Sequence, residues 1–202
     1  VNKKKFIYLI SPNKIYKKFF KDLQKVLETG KISFFQLRLK KYSFKHKILI
    51  GQKIKNICKK NKVKFLINDD PILAKRLGAD GCHLGQKDMN IKEARKIIGK
   101  KIIGITCHNS ITLAKIAIKA KASYLAFGAF YSSKTKKTKY AANIKILNKI
   151  KKITKTPIVA IGGINSENYK NLLLNNANFL AISGYVWNNK KYKPLEAIER
   201  LK

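Results

Sequence analysis

Short apolar runs alternate with longer amphipathic stretches along the whole chain. The runs are FIYLIS (6–11), FFQLRL (34–39), KFLIND (64–69), GCHLG (81–85), KIIGIT (101–106), YLAFGAF (124–130), PIVAIGG (157–163) and FLAISGYV (179–186). They are rich in Ile, Phe, Leu and Val, as strands buried on both faces of a parallel sheet are. The stretches between them have helical spacing. IYKKFFKDLQKVLE places Tyr16, Phe19, Phe20, Leu23, Val26 and Leu27 on one stripe, and ITLAKIAIKA and ENYKNLLLNN behave alike. Asn109 and Ser110 mark the start of the fifth helix, and Asn165 and Ser166 with Glu167 that of the seventh. Eight strand–helix units in 202 residues predict an α/β fold, a single-domain (β/α)8 TIM barrel spanning residues 1–202. A doubly wound open sheet would usually carry GxGxxG after its first strand, where this chain has SPNK.

Charge changes the picture less than its size suggests. Lys and Arg number 46 against ten Asp and Glu, a formal charge of +36. Such an excess raises the question of nucleic acid. Yet Arg38, Arg76, Arg95 and Arg200 are the only arginines, and the lysines run the length of the chain without forming a basic tail. Arg, not Lys, makes the bidentate contacts on which base and phosphate readers lean. With Ile and Asn also abundant, the pattern reads as a compositional drift that fills solvated faces with Lys. No specific nucleic-acid partner is expected, although the positive field would attract anionic small molecules. No apolar run reaches 18 residues and the N-terminal apolar run is too short for a signal peptide, so no membrane partner is expected and the location expected is cytoplasmic. Cys58, Cys82 and Cys107 show no CxxC spacing, which predicts reduced thiols.

In a barrel of this kind the active site sits on the loops that follow the strands. The run ends supply Gln36, Arg38 and Lys40; Asn68, Asp69 and Asp70; Gly85, Gln86 and Asp88; Thr106, Cys107 and His108; Ser132 to Lys136; Gly162 and Gly163; and Ser183 and Gly184. Arg38 and Lys40 stand two apart at a strand end, so their side chains are expected to point the same way. Lys136 lies among the hydroxyls of Ser132, Ser133 and Thr135. The two glycines of AIGGI (160–164) make either a tight turn or a cradle of backbone N–H groups for phosphate, with Ile182, Ser183 and Gly184 beside it. Four of the ten acids fall in KFLINDDPILAKRLGADGCHLGQKDM (64–89). Asp69 and Asp88 follow neighbouring strands and suit Mg²⁺, which takes hard oxygen ligands. Asp70 precedes Pro71 and reads as a helix cap, and Asp80 precedes Gly81 and reads as a turn residue. Phosphate-binding cations beside a metal pair suggest a diphosphate substrate. Zinc is not expected at Cys82-His83 and Cys107-His108, because adjacent strand residues face opposite sides. His83 reads as a packed or rim histidine.

Five ordered motifs then carry a resemblance: QLRLK (36–40), IND (67–69) with GADGCHLGQKD (78–88), GITCH (104–108), GAFYSSKTK (128–136) and AIGGI (160–164). The chain resembles the thiamine phosphate synthase and thiazole tautomerase family. The resemblance to the synthases implies coupling of hydroxymethylpyrimidine diphosphate with a thiazole phosphate. Diphosphate would leave first, giving a pyrimidinylmethyl cation that the thiazole nitrogen attacks. It implies Mg²⁺ on Asp69 and Asp88, and a pyrimidine diphosphate held by Gln36, Arg38, Lys40, Asn68 and Lys136, with Thr106 near the same group. Arg38 and Lys136 would be the catalytic cations. Ser133, Thr135, Gly162, Gly163, Ile182 and Ser183 would hold the thiazole phosphate. Thr106 stands where Ser is usual, Ser132-Ser133 where Pro-Thr is usual, Ala129 where Pro is often found and Thr138 where an acid often follows. The tautomerase branch, which transfers a proton without a metal pair, is the alternative; the two aspartates with Lys136 favour the synthase. A non-enzymatic nucleic-acid-binding barrel would rest on the charge alone.

Overall fold

Alternation within each apolar run decides what the sheet encloses. The structure, a computed structural model, describes residues 5–132 and 141–202. Strands β1 (Ile7–Ile10), β2 (Ile32–Leu37), β3 (Lys64–Asn68), β4 (Gly81–Leu84), β5 (Ile102–His108), β6 (Tyr124–Phe127), β7 (Ile158–Ile161) and β8 (Phe179–Ile182) pair in sequence order. All pairs are parallel, and β8 closes on β1 to complete a barrel. Helices α1 (Phe19–Glu28), α2 (Phe44–Lys60), α3 (Pro71–Leu77), α4 (Ile91–Ile98), α5 (Ile111–Lys119), α6 (Lys145–Ile153) and α7 (Tyr169–Leu174) return the chain between strands. A single helical turn, α8 (Gly184–Trp187), and α9 (Pro194–Glu199) follow β8. Each predicted run therefore overlaps one strand of the predicted barrel, with β2 starting two residues before its run and β5 ending two residues after its run.

Two packed layers result. Side chains such as Leu9, Phe35, Ile67, Cys82, Ile103 and Leu125 point outward and are buried against the helices. Their neighbours Tyr8, Ile10, Leu66, Tyr124, Ala126, Val159 and Ala181 point inward and fill the barrel. Burial pushes the Cys82 and Cys107 thiols up to about 12, so both stay protonated at neutral pH, and all three cysteines are unbridged. Among the described residues no helix is long and apolar enough to cross a membrane.

Local chemistry sets the element ends. Asp70 accepts from Leu73 N at 2.8 Å and Pro71 opens α3, as the sequence predicts. Ser110 likewise caps α5 by accepting from Leu113 N. Asp80 lies at the far end of the barrel from the β-to-α loops, accepting from Phe65 N and pairing with Lys64 at 3.1 Å. Three boundaries differ from expectation. Helix α1 begins only at Phe19, which leaves Tyr16 36% exposed, its hydroxyl donating to Asp22. Helix α7 begins at Tyr169, because Asn165 Oδ1 accepts from Glu167 N and Asn168 N and closes a separate turn ahead of it. Strand β2 stops at Leu37, so Arg38 and Lys40 belong to the loop that follows it.

Candidate active site

Two cavities open at the loop end of the barrel. The first, about 510 Å³, is lined by Lys40, Asn68, Asp69 and Asp88, with Lys47 from α2 at its edge. Asp69 sits just past β3 with φ of 64°, a left-handed conformation that Asp tolerates better than most residues. Its N–H donates to His83 O at 2.8 Å, which ties this turn to β4. Its carboxylate meets Lys40 Nζ at 3.0 Å and lies beside the Asp88 carboxyl. Asp88 Oδ2 in turn accepts from Gly85 N at 2.7 Å. Burial alone would raise Asp69; the Lys40 ammonium, with the Asp88 carboxyl beside it, outweighs this and holds Asp69 below the usual carboxylate range. Asp88 moves up, through burial and the neighbouring Asp69 charge, against the pull of the Gly85 N–H. Of the pair, Asp69 is therefore the more readily ionised and Asp88 the less.

Two neighbouring carboxyls in the wall of one cavity are two hard oxygen ligands that a divalent cation can take. Among the described residues no group of three or more His, Cys, Asp or Glu side chains gathers anywhere. The donor set therefore fits Mg²⁺, which keeps water and phosphate oxygens in its shell, better than zinc, which takes nitrogen and sulfur ligands.

The second cavity, about 450 Å³, is the barrel mouth itself, and is lined by Arg38, Thr106, Gly162, Gly163, Ile182 and Ser183. The two glycines have φ of 107° and 60°. A Cβ at Gly162 would lie 2.4 Å from Ala129 Cβ, and one at Gly163 would lie 2.3 Å from Ser132 O. Only glycine lets this backbone press against the 129–132 segment. Tyr131 N donates to Gly162 O, and Asn168 Nδ2 to Gly163 O. Ser183 Oγ donates to Ser11 O, and Trp187 Nε1 to Ile10 O, which fastens α8 to the end of β1. The Ile182 side chain is buried in the layer between sheet and helices, so its backbone is what it can offer a ligand.

Most predicted rim residues are therefore brought to one end of the barrel, but not in the predicted pairing. Arg38 and Lys40 line different cavities. Alternation governs side chains only within a strand, and both residues lie past its end. Arg38 Nη1 donates to Asn13 Oδ1 at 3.0 Å, and its backbone N–H donates to Ser11 Oγ. Burial lowers the Arg38 guanidinium and Asp69 opposes this, from an ordinary value so high that the group stays charged. Gln36 does not reach the rim at all. It is 2% exposed, inside the barrel, with Nε2 donating to Tyr8 Oη. Ser133, Thr135 and Lys136 lie outside the described residues, as does Thr138.

Sequence reasoning missed the polar interior. Tyr8 Oη lies 2.8 Å from Tyr124 Oη, Tyr124 Oη 2.9 Å from His83 Nδ1, and His83 Nε2 2.9 Å from Thr106 Oγ1. The signal was parity: positions 8, 36, 83, 106 and 124 all fall on the inward phase of their strands. Gln86, which had been given no role, donates to Thr106 O and steadies the end of β5.

The family model described as thiamine monophosphate synthase matches residues 7–186. The chain belongs to this family. Thiamine-phosphate synthase of Pelagibacter ubique (strain HTCC1062) is 70% identical over 200 residues, 98% of this chain and 97% of the relative. The protein of the same name from Erythrobacter litoralis (strain HTCC2594) is 40% identical over 196 residues, 95% and 92% of the two chains. Among solved structures, thiamine phosphate pyrophosphorylase from Pyrococcus furiosus superposes with a TM-score of 0.86 at 28% identity, covering 98% of this chain and 94% of that one. Membership of the thiamine monophosphate synthase family thus extends over strands from both cavities.

Proposed function

We propose that the chain is a thiamine-phosphate synthase, a transferase that joins 4-amino-5-hydroxymethyl-2-methylpyrimidine diphosphate to hydroxyethylthiazole phosphate and releases diphosphate. The relatives' names support the reaction. The observation that carries its assignment to this site is the Asp69–Asp88 carboxyl pair beside Lys40, at 3.0 Å from Asp69. Bound at that pair, Mg²⁺ would neutralise the charge that grows on the leaving diphosphate.

The remaining work falls to side chains and backbone. Lys40 lies where it can counter diphosphate charge, and Asn68 lines the same cavity. Arg38 lines the barrel mouth, where its charge can meet a substrate phosphate. The glycine turn at 162–163 and the Ser183 segment hold the thiazole phosphate through the backbone. With both substrates fixed, the C–O bond to diphosphate breaks. The pyrimidinylmethyl cation it leaves is stabilised by the ring amino group, and the thiazole nitrogen supplies the electron pair of the new C–N bond.

Purified protein incubated with both substrates and Mg²⁺ should form thiamine phosphate and diphosphate. Chelation with EDTA should stop turnover, and added Mg²⁺ should restore it. Absence of product at any Mg²⁺ concentration would overturn the assignment, and turnover unaffected by EDTA would overturn the metal role.

A further inference from the structure

We infer that the barrel interior carries a one-way hydrogen-bond relay, Gln36 to Tyr8 to Tyr124 to His83 to Thr106, which holds His83 as its Nε2–H tautomer and turns the Thr106 hydroxyl proton toward the substrate. Tyr8, Tyr124 and His83 are then positioning residues that act through Thr106. The inference rests on the proposed function, with Thr106, which lines the second cavity, near the pyrimidine diphosphate as the family resemblance implies.

Counting protons sets the direction. Gln36 Nε2 is a donor only, and it donates to Tyr8 Oη at 2.8 Å. A phenol has one proton, and Tyr8 lies between Gln36 and Tyr124. Its oxygen accepts from Gln36, so its proton goes to Tyr124 Oη, 2.8 Å away. Tyr124 now accepts from Tyr8, and its own proton goes to His83 Nδ1 at 2.9 Å. A neutral imidazole that accepts at Nδ1 carries its proton on Nε2. That proton is donated to Thr106 Oγ1, also at 2.9 Å. Thr106 accepts from the chain, which leaves its hydroxyl proton for the cavity that it lines with Arg38.

The surroundings keep this order. Tyr8 and Tyr124 are 1% and 2% exposed, and burial drives both hydroxyls far up, so each keeps its proton. The imidazole of His83 stacks on the Tyr124 ring, with centroids 5.7 Å apart and planes 11° from parallel. Gly104 makes the room: a Cβ there would lie 1.8 Å from Tyr124 Cζ. The opposite direction would follow if the Gln36 amide were turned over. Every proton would then reverse, and the Thr106 hydroxyl would donate to His83 Nε2 and offer the substrate only an acceptor.

The experiment is ring-¹⁵N NMR of the full chain with kinetics alongside. The chain has three histidines, and the His83 resonances are assigned by their loss in His83→Gln. His83 should show a proton-bearing Nε2 and an acceptor Nδ1; a proton-bearing Nδ1 would overturn the relay. Tyr124→Phe keeps the ring volume and should mix the His83 tautomers and lower kcat roughly ten-fold, with KM little changed. In a Thr106→Val background the same change should have no further effect on kcat. Additive losses would overturn the claim that Tyr124 acts through Thr106. Tyr8→Phe gives the same readouts should Tyr124→Phe fail to fold. If the tautomer is as expected but Thr106→Val leaves kcat unchanged, the placing of Thr106 at the substrate fails while the relay stands, so the two failures are told apart.

Discussion

The two cavities at the barrel mouth are made of different material. The first is built from ionisable side chains: Lys40, Asp69 and Asp88, held by the Lys40–Asp69 ion pair and the Gly85 N–H on Asp88. The second is built largely from backbone, brought close by Gly162 and Gly163 and fastened by Ser183. A site made of side chains can be emptied by truncating one group while the fold stays intact. Backbone cannot be truncated, so the glycine part of the second cavity is perturbed by added bulk. The same rim should therefore fail in two distinguishable ways.

The largest effect should come from the first cavity. Asp88→Ala removes one of the two proposed ligands, and turnover should fall on the order of 10²–10³-fold. The melting temperature should stay close to that of the parent chain, because the hydrogen bond given to the side chain among the described residues comes from a loop N–H, that of Gly85. Steady-state assays across Mg²⁺ concentrations, with a thermal melt as control, check both halves.

Next comes the second cavity, by addition. Gly162→Ala places a methyl 2.4 Å from Ala129 Cβ on a backbone with φ of 107°. It should lower stability by about 1–3 kcal/mol. KM for the thiazole phosphate should rise while the Mg²⁺ dependence stays as it was, which substrate titrations at fixed and varied metal would show. A changed metal dependence would break the comparison.

A smaller and sharper test uses the two cations that the sequence groups together. Lys40→Ala should shift the Mg²⁺ requirement and Arg38→Ala should not, each with a loss of roughly ten-fold in kcat/KM. Equal metal shifts in both would mean that the two cavities act as one. The smallest effect should come from Asp70, which lines the first cavity as structure only. Asp70→Ala should cost about 1 kcal/mol in a denaturation curve and leave kcat alone.

The barrel was legible because eight apolar runs and their helical partners repeat the same physical problem. Burial on both faces demands a continuous apolar strand whatever its neighbours are. The cap at Asp70 and the place of Asp69 at the strand end were legible for a related reason: Asp–Pro ahead of an apolar stripe marks a helix start, and the preceding residue is left at the strand end. Strand ends were less legible. Where β2 stops decides which way Arg38 and Lys40 turn, and that depends on pairing with β3, a non-local matter. The interior chain stayed hidden for another reason. Tyr8 and Tyr124 look like apolar strand residues until the closed sheet brings their hydroxyls to 2.8 Å across 116 residues of sequence. The two glycines were read as turn or cradle, and the contacts with Ala129 and Ser132 give the turn a steric cause without deciding against a cradle.

Gly104 and Tyr124 also constrain how this chain can change over time. Any side chain at 104 collides with the Tyr124 ring, so Gly104→Ala is closed as a first step. A smaller residue at 124 opens it, but severs the contact with His83. Descendants of this sequence can leave the glycine only by a path that first gives up the tyrosine, and the tyrosine can return only after the glycine has. A pair that looks like ordinary packing in this sense sets the order in which the barrel interior can change.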